Sequence, residues 1–558
     1  MRRRDLLKLA GLATGAAGLG GCGPWLSPDQ RIALALRGPG LQTEAHTICG
    51  LCEAGCGLTV RLIDGLPVGL KGDPRHPLNR GGLCPVGLAG LEVLYARDRL
   101  QGPLRRGADG VHEPTTWDAA LTEIAARLSQ LRAEGEGRRV AFLTGESSEL
   151  FHDLARAFML ALGSGSIARV GARPAVSYRL TQGLDEPPGF DLAHADLVLT
   201  FGLDLFEDGP APVHAISTLV GSRPTERRCA LLHVGTRLSP TAAKAEERVA
   251  IRPGTYAALA LGVAHVLVRE GSYDRRFVEE HTFGFEDWTD EEGRARLGFR
   301  RLLLERYYPD RAAQLCGCEP ATVVRLARRF AQASAPLAVA GGEALWGSNA
   351  TWTAMAVHAL NALRGVFGRS GGVVLPPPIP LTPLFEVGAQ GAAEERSIFA
   401  APLGEGALGI DPIEALADGV LDGSRPVEVL FLAGCDPVHS SPAGERLRQA
   451  LERIPMVVAL APVLDATAAN AAFVLPTPIF LESWSDSTTP STVAFSTLGL
   501  GRPVMDPFFD SRHPGDALLE LARRTGPDAA ERLPWSGYGD YLRHRVEGLT
   551  VSGQGSIV

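Results

Sequence analysis

The sequence predicts an α/β protein in which a small β-rich cap precedes two doubly wound parallel-sheet domains. Six short runs rich in valine and leucine, most ending near a glycine, have the composition of buried parallel strands. They lie at residues 140–144, 196–202, 229–235, 336–342, 427–434 and 455–460. Helical segments such as 257–270 and 320–333 alternate with them, as right-handed crossovers require. At 558 residues the chain also exceeds one hydrophobic core.

The cap is predicted from a hairpin pattern. Residues 58–63 alternate in hydrophobicity, Asp64 and Gly65 form a turn signal, and residues 66–71 supply the returning strand. After the cap, residues 117–134 place their apolar side chains on one face of a helix.

These patterns divide the chain into segments. The predicted boundaries are a signal at 1–22, a linker at 23–43, a cap at 44–110 completed by part of 475–525, a first α/β domain at 111–165 and 335–474, a second α/β domain at 166–334, and a C-terminal tail at 526–558.

Four of the nine cysteines lie in the cap with a characteristic spacing. Cys49, Cys52 and Cys56 are spaced x2 and x3 on one loop, and Cys84 follows in a separate Leu-Cys-Pro segment. Thiolates at these spacings can converge on a [4Fe–4S] cluster. Glycines in the loop let the backbone approach the sulfurs without a Cβ clash. We therefore predict that these four residues hold one [4Fe–4S] cluster.

Three other interpretations of the cysteines were weighed. Structural zinc normally uses two Cys-x2-Cys pairs, and the loop contains one. A disulfide is compatible with an exported protein but does not need the x2 and x3 spacing. Buried inert thiols would show no regular spacing, and this is how we interpret Cys316 and Cys318.

The N-terminus has the pattern of an export signal. Residues 2–8 resemble a twin-arginine motif, and a Gly/Ala-rich apolar run follows at 9–19. The next residues, Leu-Gly-Gly-Cys, resemble a lipobox and predict that Cys22 is lipidated; the alternative is a plain cleavable signal with an incidental cysteine. We expect a lipid-anchored protein in the periplasm or on the outer face of the cytoplasmic membrane.

Composition argues against one class of partner. The net charge is −8, and no basic block follows the N-terminus. A protein that binds nucleic acid needs a positive surface for the phosphates. We therefore expect no nucleic-acid partner.

Several further motifs carry a family resemblance that runs from residue 46 to about residue 526. They are YARDRL at 95–100, WDAA at 117–120, RPGT at 252–255, LNALRG at 360–365, GG at 371–372 and VLP at 474–476. With the four cysteines, they resemble the catalytic subunits of complex iron–sulfur molybdoenzymes. This bis-molybdopterin guanine dinucleotide group includes formate dehydrogenase, nitrate reductase and polysulfide reductase.

The resemblance implies a fold, cofactors and partners. The fold would be dimethyl sulfoxide reductase-like, with domains I–III. The cofactors would be one [4Fe–4S] cluster and a molybdenum bis-molybdopterin guanine dinucleotide held between the two α/β domains. The partners would be a ferredoxin-like iron–sulfur subunit and a quinone-reactive membrane subunit.

Five departures from the family pattern argue against molybdenum chemistry. Val170 stands where the family has a cysteine, selenocysteine or serine metal ligand, and Val86 stands where it has a lysine or arginine between cluster and pterin. Gly235 replaces the aspartate of a nucleotide-contacting Asp-Pro-Arg strand end, and Tyr256 replaces the acidic residue of Pro-Gly-Thr-Asp. Finally, no counterpart of the family's fourth domain follows before Val558.

Two functions are consistent with this pattern. The favoured one is an electron-transfer or scaffold subunit of a membrane-associated respiratory complex, similar to the molybdoenzyme-like subunit of alternative complex III. The second is an active bis-molybdopterin molybdenum or tungsten reductase or dehydrogenase whose fourth domain is on another chain. The sequence leaves open whether the chain has an active site of its own.

Overall fold

The structure is a computed structural model that describes residues 40–145, 148–171, 176–184, 186–220, 229–384, 397, 399 and 411–552. The predicted export signal, Cys22 and most of the predicted linker lie outside these residues. Within them, no helix is both long and apolar enough to cross a bilayer.

The strands of the described residues are short. In chain order they are β1 (Gln42–Ile48), β2 (Gly57–Ile63), β3 (Leu66–Gly72), β4 (Leu104–Arg106), β5 (His112–Pro114), β6 (Val140–Thr144), β7 (Ile167–Arg169), β8 (Gly189–Phe190), β9 (Leu197–Phe201), β10 (Ala230–Gly235), β11 (Glu247–Ala250), β12 (Trp288–Thr289), β13 (Ala295–Arg296), β14 (Pro336–Ala340), β15 (Val373–Val374), β16 (Val429–Ala433), β17 (Met456–Ala461), β18 (Phe473–Pro476), β19 (Ser485–Thr488), β20 (Thr492–Val493) and β21 (Leu498–Gly501).

Helices connect these strands. They are α1 (Pro85–Leu88), α2 (Gly90–Leu94), α3 (Trp117–Ala133), α4 (Glu149–Ala161), α5 (Val176–Gln182), α6 (Pro212–Leu219), α7 (Pro240–Lys244), α8 (Tyr256–Arg269), α9 (Arg275–His281), α10 (Phe299–Arg306), α11 (Pro309–Cys316), α12 (Pro320–Gln332), α13 (Ala350–Leu363), α14 (Pro412–Leu421), α15 (Pro437–Ser440), α16 (Gly444–Leu451), α17 (Pro514–Thr525), α18 (Pro527–Arg532) and α19 (Tyr538–Ser552), with 3₁₀ turns at Gly137–Arg139, Gly342–Leu345 and Ala468–Asn470.

The cap is an antiparallel sheet in the order β1-β2-β3. Asp64 and Gly65 both have positive φ at the β2–β3 turn, as the hairpin signal predicted. The inner face of this sheet packs on a later segment that includes Phe480, Leu481 and Val493. Part of residues 475–525 therefore shares an apolar core with the cap.

The first α/β domain contains a seven-stranded sheet in the order β5-β4-β18-β17-β16-β6-β7, with parallel pairing from β18 to β7. Successive strand side chains point to opposite faces. Phe142 and Phe431 pack with α3, α4 and α17, while Leu143 and Leu432 pack with α14 and α16. Helices on both faces make this sheet doubly wound, as predicted.

The second α/β domain is built on a parallel sheet in the order β11-β10-β9-β14. Leu199 and Phe201 face the core formed with α8, α11, α12 and α13. Val198 and Leu337 face a smaller core formed with α6. The predicted α/β class with two doubly wound sheets is therefore confirmed.

Three predicted boundaries are wrong. Strand β14 was placed in the first domain from residue 335 but pairs with β9 of the second sheet. Strand β7 was placed in the second domain but pairs with β6 of the first. Strand β4 was placed in the cap but pairs with β18. Strand β14 was misplaced because buried apolar strands of either sheet have the same composition, and β4 and β7 because they are three residues long and not fully buried.

The C-terminal part is more than a tail. Helices α18 and α19 close the core of the first domain, with Tyr538 and Tyr541 fully buried. The Tyr538 hydroxyl donates a 2.7 Å hydrogen bond to Asp486, itself buried. The sequence did not indicate this because the buried positions of these helices are aromatic and polar rather than aliphatic.

Candidate functional site

The structure brings the four predicted cysteines together. None forms a disulfide; Cys49 and Cys56 are buried, Cys84 is half-buried and Cys52 is exposed. Burial, and to a smaller degree the neighbouring sulfurs, raises the pKa of the Cys49 thiol to about 11 and that of Cys56 to about 12. Because the other cysteines contribute to the pKa of each buried thiol, the four cysteines lie close together.

Backbone hydrogen bonds shape the loop that carries three of them. The Cys49 N–H donates to the Cys56 carbonyl at 2.8 Å, and the Gly55 N–H donates to the Cys52 carbonyl at 3.3 Å. Gly55 has φ +52°, and a Cβ there would lie 1.8 Å from the Ser487 hydroxyl oxygen. This turn therefore requires glycine for both conformation and space.

Asn79 links the two parts of the cysteine site, and sequence reasoning missed it. Its side chain is buried; Oδ1 accepts from the Gly57 N–H at 3.0 Å, and Nδ2 donates to the carbonyls of Gly57 at 3.0 Å and Gly82 at 2.7 Å. Gly57 follows Cys56 and Gly82 precedes Cys84. No ligand spacing marks an asparagine with this role, since all its partners are backbone atoms.

Cys84 caps the short helix α1. Its sulfur accepts a hydrogen bond from the Gly87 N–H at 3.3 Å. Val86, between them, is 62% exposed and points away from the apolar core of the cap. No charged side chain thus stands at the position where the family pattern has a lysine or arginine.

The imidazole of His46 lies beside a carboxylate. Its Nδ1 is 3.0 Å from Asp73 Oδ2, which also accepts from the Arg75 guanidinium at 2.9 Å. The hydrogen bond from Arg75 holds the pKa of Asp73 well below its usual range. His46 is therefore a half-exposed partner of Asp73.

The four cysteines supply the donor set of a [4Fe–4S] cluster, one thiolate for each iron. Among the described residues, no three His, Cys, Asp or Glu side chains converge as the ligands of one ion would, and this includes the four cysteines. A zinc ion would draw its sulfurs to within about 4 Å of one another, given a Zn–S bond of about 2.3 Å. A [4Fe–4S] cluster is held by four cysteines on separate irons and tolerates wider spacing.

Val170 offers no metal ligand. It follows β7, its N–H donates to the Thr144 carbonyl at 2.8 Å, and its side chain packs against the core beneath α14 and α16. The nearest hydroxyl in the predicted register, Ser177, is buried with its Oγ 3.4 Å from His358 Nε2. Burial lowers the pKa of His358 to about 4, so this imidazole is neutral at physiological pH.

Gly235 and Tyr256, two further positions that depart from the family pattern, both lie next to the carboxylate of Glu343. Gly235 ends β10, and Tyr256 begins α8. The Thr236 N–H donates to Glu343 Oε1 at 2.7 Å and its hydroxyl donates to Oε2 at 2.6 Å, while the Tyr256 hydroxyl donates to Oε1. Sequence reasoning missed Glu343, which lies 87 residues beyond Tyr256 on the loop after β14.

The acidic residues at the same edge are also paired. Asp204 is buried, accepts from the Thr241 hydroxyl, and forms a 2.9 Å ion pair with Arg237. Arg237 also donates to Glu207 at 3.0 Å. At this edge, then, Glu343, Asp204, Glu207 and Arg237 are paired within the chain, while Asp208 lies beside Asp204 and burial raises the pKa of its carboxyl.

Comparison with known proteins identifies the family. The molybdopterin oxidoreductase profile matches residues 99–524, and the profile of the molybdopterin oxidoreductase Fe4S4 domain matches residues 42–96. The solved acetylene hydratase from Pelobacter acetylenicus has a TM-score of 0.76 and 22% identity, covering 90% of this chain and 72% of that one. This likeness confirms the fold.

Curated relatives are distant but extensive. The menaquinone reductase molybdopterin-binding-like subunit of Nitratidesulfovibrio vulgaris is 28% identical over 494 residues, 88% of this chain and 66% of that protein. The arsenate respiratory reductase molybdopterin-containing subunit of Shewanella sp. is 25% identical over 96% of this chain and 67% of that protein. The chain spans about two thirds of these relatives' length. The chain therefore belongs to the molybdopterin oxidoreductase family and includes its Fe4S4 domain.

Proposed function

We propose that the chain is an electron-transfer subunit of a membrane-associated respiratory redox complex, with one [4Fe–4S] cluster and no molybdenum chemistry of its own. The observation that carries the proposal is the contrast between four adjacent cysteine thiols in the cap and a valine, packed in an apolar core, at position 170. Four thiols can hold a cluster, whereas an alkyl side chain has no lone pair for a metal.

The chain's own residues would determine how the cluster is held and reached. When bound, a [4Fe–4S] cluster accepts and donates single electrons. Cys49 and Cys56 are buried, whereas Cys52 is exposed. Since electron transfer needs a short path to a partner, the Cys52 side is the side from which electrons enter or leave. The Gly87 N–H on Cys84 would raise the reduction potential by stabilising negative charge on that sulfur.

Location and partners follow from the sequence and the relatives. The twin-arginine pattern and the lipobox at Cys22 would place the protein in the periplasm, anchored to the membrane by lipid. One relative is named a menaquinone reductase molybdopterin-binding-like subunit, and another is named an arsenate respiratory reductase molybdopterin-containing subunit. We accordingly propose a ferredoxin-like iron–sulfur subunit and a quinone-reactive membrane subunit as partners.

Elemental analysis of the complex purified from its own membranes tests this function. We expect about four irons per chain, broad absorbance near about 400 nm, and neither molybdenum, tungsten nor pterin. Molybdenum and pterin at one site per chain would overturn the proposal in favour of an active reductase or dehydrogenase whose remaining domain lies on another polypeptide. Zinc without absorbance in that region would instead mean a structural metal site.

A further inference from the structure

The second sheet has the topology of a ligand-binding α/β domain. In the order β11-β10-β9-β14, the chain adds β10 and β11 on one side of β9 and then places β14 on its other side, so the strand order reverses at the β9–β14 pair. In open parallel sheets, ligands bind in the crevice outside the carboxyl ends of the strands at such a switch point. The crevice between the β9 and β14 ends is therefore where a nucleotide would enter this domain.

Backbone contact closes that crevice. Gly202 follows β9, and a Cβ built on it would lie 2.5 Å from the Ala344 nitrogen. Gly342 follows β14, and a Cβ there would lie 2.5 Å from the Gly202 carbonyl oxygen. Both glycines have positive φ. The two loops touch each other at a distance that leaves no room for a side chain, and still less for a base or phosphate.

Beside this contact, Glu343 is held by two other segments. We name the Glu343 clasp as the set Thr236, Tyr256 and Glu343. Oxygen Oε1 accepts two hydrogen bonds, from the Thr236 N–H and the Tyr256 hydroxyl, and Oε2 accepts one from the Thr236 hydroxyl. A carboxylate that binds guanine must offer an unused lone pair on each oxygen to the paired N–H donors. Oε1 has none left.

Gly235 leaves little room for a side chain beside Glu343. A Cβ at Gly235 would lie 2.5 Å from His233 Nε2 and 3.3 Å from Glu343 Oε1. His233 cannot easily move, because it is buried and its Nδ1 is 2.8 Å from the Thr200 hydroxyl. A side chain at 235 would therefore clash with His233 and crowd the carboxylate of Glu343.

We propose that the Glu343 clasp takes the place of a guanine nucleotide at this edge and locks the crevice of the second domain shut. The strand end of β10, the start of α8 and the loop after β14 are then joined by the chain itself. The inference deepens the proposed function, since it gives a structural reason why one pterin dinucleotide would be excluded, but it rests on contacts of the second domain alone.

Nucleotide binding to the full-length protein tests the closed crevice. The probe is guanosine 5′-monophosphate. Its binding is measured by isothermal titration calorimetry and by the shift of the protein's thermal unfolding midpoint. We expect no saturable binding at millimolar nucleotide and no shift. Saturable binding that Glu343→Ala abolishes or weakens would overturn the inference, because Glu343 would then be a ligand of the base.

A double-mutant cycle tests the clasp itself. Glu343→Ala should lower the midpoint of the transition that includes the second domain by about 5 °C, since it leaves buried donors unpaired. Tyr256→Phe should lower it less, and should have almost no effect in the Glu343→Ala background, because the partner hydroxyl has already lost its acceptor. Glu207→Gln at the same edge is the control; it breaks only a half-exposed ion pair and should shift the midpoint by about 1 °C or less.

Additive effects of Tyr256→Phe and Glu343→Ala would overturn the clasp. This outcome is separate from the failure of the proposed function, which is decided by metal and pterin content. A protein with a closed crevice could still be found with molybdenum, and a protein without molybdenum could still bind the nucleotide.

Discussion

The cysteine site of the cap and the carboxyl edge of the second sheet are both built on glycine-rich turns at strand ends, yet their polar groups are used differently. In the cap, the hydrogen-bond donors to the cysteine sulfurs are backbone N–H groups such as that of Gly87, and burial raises the pKa values of Cys49 and Cys56. At the sheet edge, Glu343, Asp204 and Arg237 are each paired within the chain.

This difference supports the proposal that the cysteine site binds a cluster and that the edge of the second sheet no longer binds a nucleotide. Groups meant to bind something else are usually left without strong internal partners, because each internal hydrogen bond must be broken before a ligand can bind. The thiols meet that condition and the edge of the second sheet does not. We therefore expect the cap to bind a cluster and the edge of the second sheet to bind no nucleotide.

The largest expected effect comes from removing a buried thiol. Cys56→Ala should abolish the cluster, with iron falling from about four per chain to near zero and the absorbance at about 400 nm lost. The measurement is iron content and visible absorbance of the purified protein.

Cys316→Ala provides the matched control. Cys316 is equally buried and donates to the Thr255 carbonyl at 3.5 Å in the second domain, far in sequence from the cap. Its replacement should leave the iron content unchanged. Equal loss of iron in both variants would mean that Cys56 acts through folding and not as a ligand.

Asn79 gives the next largest effect. Asn79→Ala leaves the buried Gly57 N–H and Gly82 carbonyl without their side-chain partner, which should destabilise the cap by about 2–4 kcal/mol. The cluster should be lost faster during exposure to air or chelator. Asn470→Ala, which removes one exposed hydrogen bond to the Ala466 carbonyl, should leave that rate unchanged. Equal rates in the two variants would show that Asn79 does not join the halves of the site.

Sequence reasoning predicted the cluster ligands of the cap but missed Asn79, which links the two segments that carry them. Cysteine spacing is a direct record of metal geometry, so Cys49 to Cys84 could be identified without a structure. Asn79 binds backbone atoms that any sequence would provide, so no pairing rule reveals it. The hairpin at Asp64 and Gly65 was predictable because its backbone conformation restricts residue type.

Sequence reasoning was weaker for the α/β domains. Six strands, β6, β9, β10, β14, β16 and β17, were predicted, since a run of valine and leucine near glycine indicates a buried strand, whereas the shorter β7 and β11 were not. The assignment of β14 to a sheet failed because pairing is a long-range choice among strands of equal composition. The departures from the family pattern at Gly235 and Tyr256 could each be seen in the sequence. Glu343, which lies next to both residues, is in a distant segment and could not.

A smaller effect is expected from acid. Burial alone would raise the pKa of Glu343, but hydrogen bonds from Thr236 and Tyr256 outweigh it and lower the pKa. A carboxylate whose pKa is lower in the folded state contributes stability above its unfolded pKa and loses it as pH falls through the folded value. The stability difference between wild type and Glu343→Gln should therefore be constant near neutral pH and shrink below about pH 4. A difference that grows in acid would contradict the clasp; unfolding midpoints at several pH values provide the measurement.

The smallest effect concerns Val86. Val86→Lys puts a positive charge where the family pattern has one, which should raise the cluster's reduction potential because the reduced cluster is more negative. Since Val86 is 62% exposed, water and salt screen that charge, and the shift should be about 20 mV or less, as for a unit charge roughly 8 Å away in water. Leu88→Lys, at a 56% exposed position on the same helix, should give a similar or smaller shift in a redox titration followed by electron paramagnetic resonance. A shift several times larger for Val86→Lys alone, and insensitive to salt, would mean that position 86 is covered in the assembled complex. Such a result would indicate a partner surface next to the cluster, because only an environment of low dielectric constant lets one charge act so strongly.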